Sequence, residues 1–568
     1  MHLVSTAASV LFAASLARAS ADALPTVDLG YEIHQASVFN ETLQTYNFTN
    51  IRYAQPPTGN LRFAKPQSPV GRNPIVQNGT QPVVCPQAGP VWNALTYEYA
   101  EAYSQGNASL LSYEAGKTLA TVTPDVPLNL LKASFPPGMT EDCLFLDVVV
   151  PQKIFEGNVS DYSNGGADVV IYIHGGAYSL GDKAVVGATL KPDSFLLRAY
   201  EKQSPGFIWV SVNYRLGALG FLAGPTLQAS GGVSNAGFYD QRLAIDWVYD
   251  NIDKFGGDPE KITLIGESAG GGSIFHQITA QDGQSDAKFK KAIPLYSGFV
   301  PQPSRQIQED RTQEFLHRLG TNSIEGARKA SSAAVMEAQL RQIGLAKPGV
   351  FAFGPAVDGD LWPELPGELL LASRGKNISV LTSYNKNDGN AFTPPDLTSD
   401  TGFAELIRRL EPQLQTSNVN KIVNELYPAA YNGTYPYTTP YERLSRFVRD
   451  FGFSCNAYYL GKQPDAPTFV YEWAVPPALH GSDAPSMEYT GNVDAAGAPK
   501  WSRELQEYLV NFILHGDPNG DGLPTWPDRR GGAFTNVFNE EKIGAQRVDG
   551  FEVEVCEFFQ ERVYDGSS

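Results

Sequence analysis

The sequence predicts an α/β fold in which a large, mostly parallel sheet is covered by helices on both faces. Three observations carry this expectation. Short runs of β-branched and aromatic residues, ended by Gly or turn residues, recur at 168–173, 206–214, 261–265 and 378–384, the pattern of strands buried on both faces. Helical patterns lie between them, at 241–251 before one strand and 268–280 after it. No internal repeat, low-complexity linker or long charge run interrupts the 568 residues. Strand, helix, strand at this spacing argues for parallel neighbours with helical cover.

From the N-terminus, residues 1–21 hold no acidic residue and carry an apolar stretch at 11–17, followed by Ala17-Arg18-Ala19 before Ser20. This predicts a secretory signal peptide, cleaved after Ala19 or Ala21. The stretch is too short for the roughly 20 residues of a membrane span. The best later candidate, 207–224, is broken by Asn213 and Arg215, so no membrane span is expected. Residues 22–568 are read as one large, decorated, exported domain. A further strand-like run stands at 468–473. Leu444, Phe447, Val448 and Phe451 fall at helical spacing, as do Trp501, Leu505, Tyr508, Leu509 and Phe512. Those stripes are core faces of helices.

Hydrophobic residues make up 42% of the chain and charged residues only 18%, while Gly 54 and Pro 40 exceed the usual share. A loop-rich globular protein with a sizeable core follows. The net charge of −18 repels phosphate backbones, so nucleic acid is not expected as a partner, and solubility accounts for the charge. Four cysteines in an exported chain suggest two disulfides, and three pairings satisfy the count. No CxxC or Cys/His cluster is present, so no metal site is expected. Asn-x-Ser/Thr triplets at Asn40, Asn47, Asn78, Asn107, Asn158, Asn377 and Asn432 are candidate glycan acceptors.

One segment carries the chemistry. Residues 261–270 read as a buried strand running into Gly266-Glu267-Ser268-Ala269-Gly270 and then a helix. A nucleophilic serine on a strained strand-to-helix turn leaves no room for side chains two residues to either side, hence the glycines. Ser268 then sits at a helix N-terminus, where the Ala269 amide can help hold an oxyanion. A second donor set stands 94 residues upstream of the serine, where strand 168–173 opens into His174-Gly175-Gly176-Ala177-Tyr178. The serine needs a base, and the base needs a carboxylate, in the chain order serine, acid, histidine. Of the histidines after Ser268, His276 lies two turns along the serine's own helix, His317 within a helical pattern and His515 at a helix stop. His480 lies in a Gly/Pro-rich loop just past strand 468–473 and is the best base. Asp388 follows strand 378–384 and is the candidate acid; Asp358 and Asp360 compete with it.

These segments together make the chain resemble the type-B carboxylesterase family, the cholinesterase-like α/β-hydrolases that include secreted fungal lipases. Phe255-Gly256-Gly257-Asp258 leading into the serine segment is similar to the family's serine signature, and Glu141-Asp142-Cys143-Leu144-Phe145-Leu146-Asp147-Val148 to its second. Tyr53-Ala54-Gln55-Pro56-Pro57, Asn213-Tyr214-Arg215-Leu216-Gly217 and Gly516-Asp517-Pro518-Asn519 follow in family order, so the resemblance spans nearly the whole mature chain. It implies the α/β-hydrolase fold, with Ser268 as nucleophile, His480 as general acid/base and Asp388 as orienting carboxylate. Most relatives have Glu where Asp388 stands. It further implies the amides of Gly176, Ala177 and Ala269 as oxyanion donors, a structural Arg62–Glu141 ion pair, and disulfides Cys85–Cys143 and Cys455–Cys556.

The resemblance implies a secreted serine hydrolase that cleaves carboxylic esters through an acyl-enzyme, a carboxylesterase or lipase that needs no metal or organic cofactor. Its expected partner is a small-molecule or lipid ester, a neutral acyl ester of moderate to long chain. The 85–143 loop carries Trp92, Leu95, Leu110, Leu111, Leu128 and Phe135 among others; it reads either as an amphipathic lid that touches a lipid interface or as a fixed rim. No choline-binding tryptophan aligns, which disfavours a cholinesterase. The alternative is a catalytically inactive, neuroligin-like adhesion protein, and retention of Ser268, Asp388 and His480 argues against it. Nothing in the sequence sets the oligomeric state.

Overall fold

The computed structural model describes residues 24–107, 136–157, 165–184, 190–286, 288–463, 466–493, 495, 497–529 and 534–560. The expected signal peptide at 1–21, the triplet at Asn158, and Leu110, Leu111, Leu128 and Phe135 of the 85–143 loop lie outside the described residues.

Eleven strands form one sheet: β1 (Val38–Asn40), β2 (Thr45–Arg52), β3 (Phe145–Pro151), β4 (Ala167–Ile173), β5 (Ile208–Val212), β6 (Gly257–Glu267), β7 (Lys291–Leu295), β8 (Ser379–Asn385), β9 (Thr468–Trp473), β10 (Phe534–Phe538) and β11 (Ile543–Arg547). Their spatial order is β11-β10-β9-β8-β7-β6-β4-β5-β3-β2-β1. From β5 to β10 every neighbouring pair is parallel, and both flanks are antiparallel. The five strands expected from sequence all lie in the parallel block. The flanking strands were not expected, and β6 reaches back to Gly257.

Alternation along β4 explains its unbroken apolar run. Val169, Ile171 and Ile173 join the larger core, whereas Val170 and Tyr172 join a second core on the opposite face. The first face is covered by α2 (Ala236–Asn251) and α3 (Ala269–Thr279), the second by α1 (Asp193–Glu201) and α6 (Ser502–His515). With water absent from both faces, every position of a central strand favours an apolar residue.

The 444–451 stripe is not one α-helix. α4 (Pro440–Arg449) widens into a π-helical turn at Asp450–Ser454 before continuing as α5 (Cys455–Leu460). The extra residue per turn is the kind of insertion that clusters at functional sites, and this one carries Phe451 and Phe453.

Disulfides join Cys85 to Cys143 and Cys455 to Cys556. Arg62 and Glu141 form a buried bidentate pair at 2.6 and 2.7 Å, and the guanidinium also donates to the carbonyls of Ala327, Arg328 and Ala330. Within the 85–143 loop, helix Val91–Ser104 buries Trp92, Thr96, Tyr99 and Ala100. Thr96 donates to the Ala391 carbonyl and the Trp92 indole to that of Val350, so this part of the loop is docked. Asn78, Asn107, Asn377 and Asn432 are exposed, while Asn40 and Asn47 are half-buried in β1 and β2. Among the described residues no helix is long and apolar enough to cross a membrane.

Candidate active site

β6 passes into α3 through a single residue, Ser268, held at φ 55° and ψ −122°. This is a strained conformation for a residue with a Cβ. The turn is anchored from both sides: Ser268 N donates to the Leu295 carbonyl at 3.0 Å, and Gly298 N donates to the Ser268 carbonyl at 2.8 Å. A Cβ on Gly266 would stand 2.5 Å from the Ile173 oxygen, and one on Gly270 only 2.0 Å from it. The glycines therefore let the turn rest directly on the end of β4.

The Ser268 hydroxyl lies 2.9 Å from His480 Nε2, and His480 Nδ1 lies 2.7 Å from Asp388 Oδ1. Two loops deliver these side chains in register. Asn387 donates through its backbone N–H to the Ala478 carbonyl at 2.9 Å and through its side chain to the Pro477 carbonyl at 2.8 Å. Asp388 is fully buried, and its second oxygen accepts from Asn385 N at 2.6 Å. Rings of Phe453, Phe392 and Tyr296 pack round the imidazole at centroid distances of 4.7, 5.0 and 5.1 Å. Those rings fix its rotamer.

Gly176, Ala177 and Tyr178 all adopt positive φ, at 100°, 53° and 58°, so the chain beyond β4 curls past the serine. Among the described residues no acceptor takes the amides of Gly176, Ala177 or Ala269. The neighbouring Gly175 amide is held instead: it donates to Glu267 Oε1 at 2.8 Å, an oxygen that also accepts from the Tyr172 hydroxyl at 2.9 Å. Burial pushes the Glu267 carboxyl up to about 8.

The competing residues are elsewhere. Asp358 caps a turn, accepting from Asp360 N, Trp362 N and the Asn235 amide, and the exposed Asp360 accepts from the Tyr239 hydroxyl. His276 is buried with Nδ1 on the Gly272 carbonyl, pushed down to about 4 by burial. His317 lies in helix Arg305–Leu319 and His515 ends α6. Among the described residues no group of three or more His, Cys, Asp or Glu is placed to hold a metal.

A model of the carboxylesterase family matches residues 34–557. The chain belongs to the carboxylesterase family. This carboxylesterase is 37% identical over 563 residues to the Carboxylesterase patB of Aspergillus clavatus, covering 97% of this chain and 99% of the relative. It is 28% identical to Lipase 1 of Geotrichum candidum, over 91% and 92% of the two chains. The solved structure of Aspergillus niger EstA superposes with a TM-score of 0.75 at 22% identity, covering 97% of this chain and all of that one. Together with the sheet described above, that places the carboxylesterase in the α/β-hydrolase fold, and the family makes it a carboxylic ester hydrolase.

Two cavities meet at Ser268 of this carboxylesterase. One, of about 70 Å³, is walled by the rings of Tyr178, Phe299, Phe351, Phe353, Phe392, Phe451 and Phe453. The other, of about 320 Å³, is bounded by residues 174–177, His480, Gly481 and polar groups of Gln87 and Asn93. Behind His480, the buried Asp483 accepts from the Tyr471 hydroxyl at 2.6 Å, and burial pushes its carboxyl up to about 7. Glu267 and Asp483 were not singled out in the sequence, nor were the phenylalanines as cavity wall, Phe451 being read there as helix core. Glu267 stands inside the serine motif and Asp483 three residues past His480, so proximity in the chain was the available signal.

Proposed function

We propose that the protein is a secreted esterase that cleaves neutral esters with short acyl groups through a Ser268–His480–Asp388 triad. The observation that carries the reading is the pair of short contacts, serine to imidazole and imidazole to carboxylate. His480 Nε2 takes the Ser268 proton as Oγ bonds to the carbonyl carbon, and Asp388 holds the tautomer with its proton on Nδ1. The carbonyl oxygen becomes an oxyanion facing the amides of Gly176, Ala177 and Ala269. Collapse breaks the bond to the alcohol oxygen, which leaves with the proton from Nε2; water then repeats the steps on the acyl-serine and releases the acid.

The leaving oxygen must reach His480, and the imidazole borders only the larger cavity. The alcohol therefore occupies that side and the acyl group the aromatic-walled one. At about 70 Å³ this cavity is less than half the roughly 150 Å³ that accommodates benzene in an engineered protein core. Short acyl groups fit it better than the moderate to long chains expected from sequence. Two disulfides and the signal-peptide pattern at 1–21 support export, and Asn78, Asn107, Asn377 and Asn432, whose own side chains are exposed, are the acceptors open to glycans.

The test is a p-nitrophenyl ester series from acetate to palmitate, with an emulsion assay beside it. Rates should peak at short acyl chains without a jump above the solubility limit. Ser268→Ala should lower kcat/KM by about 10⁴-fold or more, and Asp388→Asn by about 10³–10⁴-fold, with Asp358→Asn near normal. Hydrolysis by Ser268→Ala at the wild-type rate would sink the reading.

A further inference from the structure

The aromatic-walled cavity contains one polar side chain without an explanation. Among the described residues its wall carries no charged group, and the Tyr178 hydroxyl is engaged, donating to the Gly298 carbonyl at 3.2 Å. Gln302 is different. Its backbone is pinned, the carbonyl accepting from Val357 N at 3.2 Å and from the Gln308 side chain at 2.9 Å. The residue is 6% exposed and borders the cavity; neither amide atom has a hydrogen-bond partner among the described residues, and neither is sealed from solvent. Gly354 keeps the space beside it open: a Cβ there would stand 3.0 Å from Gln302 Nε2 and 3.9 Å from the Tyr178 ring.

A carboxamide that faces the cavity without a protein partner bonds to the water that fills it, and an acyl group that displaces this water without replacing its bonds leaves the donor and acceptor unpaired. A ligand that supplies the missing partner removes that penalty. A site built this way discriminates strongly against the analogue that lacks the polar group. We propose that Gln302 is a specificity determinant: it selects short acyl groups that carry a neutral hydroxyl or carbonyl along the chain, over plain alkyl chains of the same length. The partner is neutral because, among the described residues, the cavity wall offers no cation to balance a carboxylate. A carboxamide suits either group, since its NH₂ donates to a carbonyl and its oxygen accepts from a hydroxyl. The inference rests on the proposed acylation of Ser268 with the acyl group in this cavity.

The experiment compares kcat/KM for p-nitrophenyl 4-oxopentanoate with pentanoate, and for 5-oxohexanoate with hexanoate. Each pair differs by one carbonyl in place of a methylene. The wild type should favour the keto ester in at least one pair by about tenfold or more. Gln302→Leu should erase that preference by slowing the keto ester while the alkyl ester holds or gains. Gln302→Met, a second apolar replacement of similar length, should do the same. A structural role alone would lower both members of a pair together. Wild-type ratios near one, or ratios unchanged in either variant, overturn the proposal; the wild-type ratios decide even where a variant does not fold. Ser268→Ala is run in parallel. Flat ratios with an inactive Ser268→Ala remove Gln302 alone, whereas an active Ser268→Ala removes the serine reading and this proposal with it.

Discussion

Glu267 stands between the serine turn and the loop facing it, with its carboxyl raised by burial from an ordinary 4.5 to about 8. Above pH 4.5 the unfolded chain releases a proton that the folded protein keeps. The stability this group contributes is therefore whole below pH 4.5, falls by about 1.4 kcal/mol per pH unit above it, and is gone once pH passes 8. Asp483, raised to about 7, acts in the same direction. His174 and His276, pushed down to about 4 by burial, act oppositely, eroding stability as pH falls from 6.5 towards 4. Glu267→Gln keeps an acceptor for Gly175 N and Tyr172 but cannot ionise. Urea unfolding between pH 6 and 8 should therefore show a shallower decline than wild type, by about 1 kcal/mol per pH unit; parallel declines would show that Glu267 does not hold the proton. At this scale the sequence made Ser268 legible because its motif encodes local backbone strain. It named Asp388 as the acid with Asp358 and Asp360 as competitors, and the contacts that hold Asp388 to the His480 loop and ring are long-range and leave no local pattern. Gln302 and Phe453 reach the site through long-range packing, which leaves no local pattern to read.

The turn at Ser268 couples β6, α3 and β4 into one unit, and its glycines are where that unit can be tested. A Cβ on Gly270 would overlap the Ile173 oxygen, a backbone atom in mid-sheet with nowhere to move. Gly452, in the π-helical turn, meets nothing within 4 Å. Gly270→Ala should destabilise the protein by about 3 kcal/mol or more or prevent folding, measured by chemical denaturation and by the soluble yield. Gly452→Ala should stay within about 0.5 kcal/mol of wild type. Equal effects would contradict this account of the turn. Element by element, legibility tracks burial. β4 to β9 are apolar on both faces or follow a clear run, and most were expected. β2, with the sequence Thr-Tyr-Asn-Phe-Thr-Asn-Ile-Arg and half-buried positions along its length, looks like a turn-rich segment and pairs only because β1 and β3 flank it. The π-helical turn was equally hidden, because one inserted residue leaves the apolar spacing of α4 nearly intact.

Across the whole molecule, 568 residues would ordinarily suggest several domains, yet eleven of the described strands join one sheet, with only a two-stranded pair, Thr26–Asp28 and Ile33–Gln35, apart from it. The C-terminal end of the described chain closes back on the site. The last helix among the described residues, α7 (Gly550–Phe558), is bonded through Cys556 to Cys455, the first residue after the π-helical turn, and Glu552 accepts from Arg449 at 3.0 Å just before that turn. Phe451 and Phe453, which wall the proposed acyl cavity, thus lie between two tethers to a helix about a hundred residues away in sequence. The disulfide closes a span of 101 residues, worth about 4–5 kcal/mol in the chain-entropy account. Replacing both cysteines with alanine should lower the unfolding free energy by about that amount, read as a lower urea midpoint with a slope that holds or rises as the unfolded chain expands. Esterase activity should disappear at the same urea concentration as the global unfolding signal. If activity is lost well before that signal in the double variant but not in wild type, then the tether holds the cavity wall locally, and α7 separates from the π-helical turn before the sheet opens.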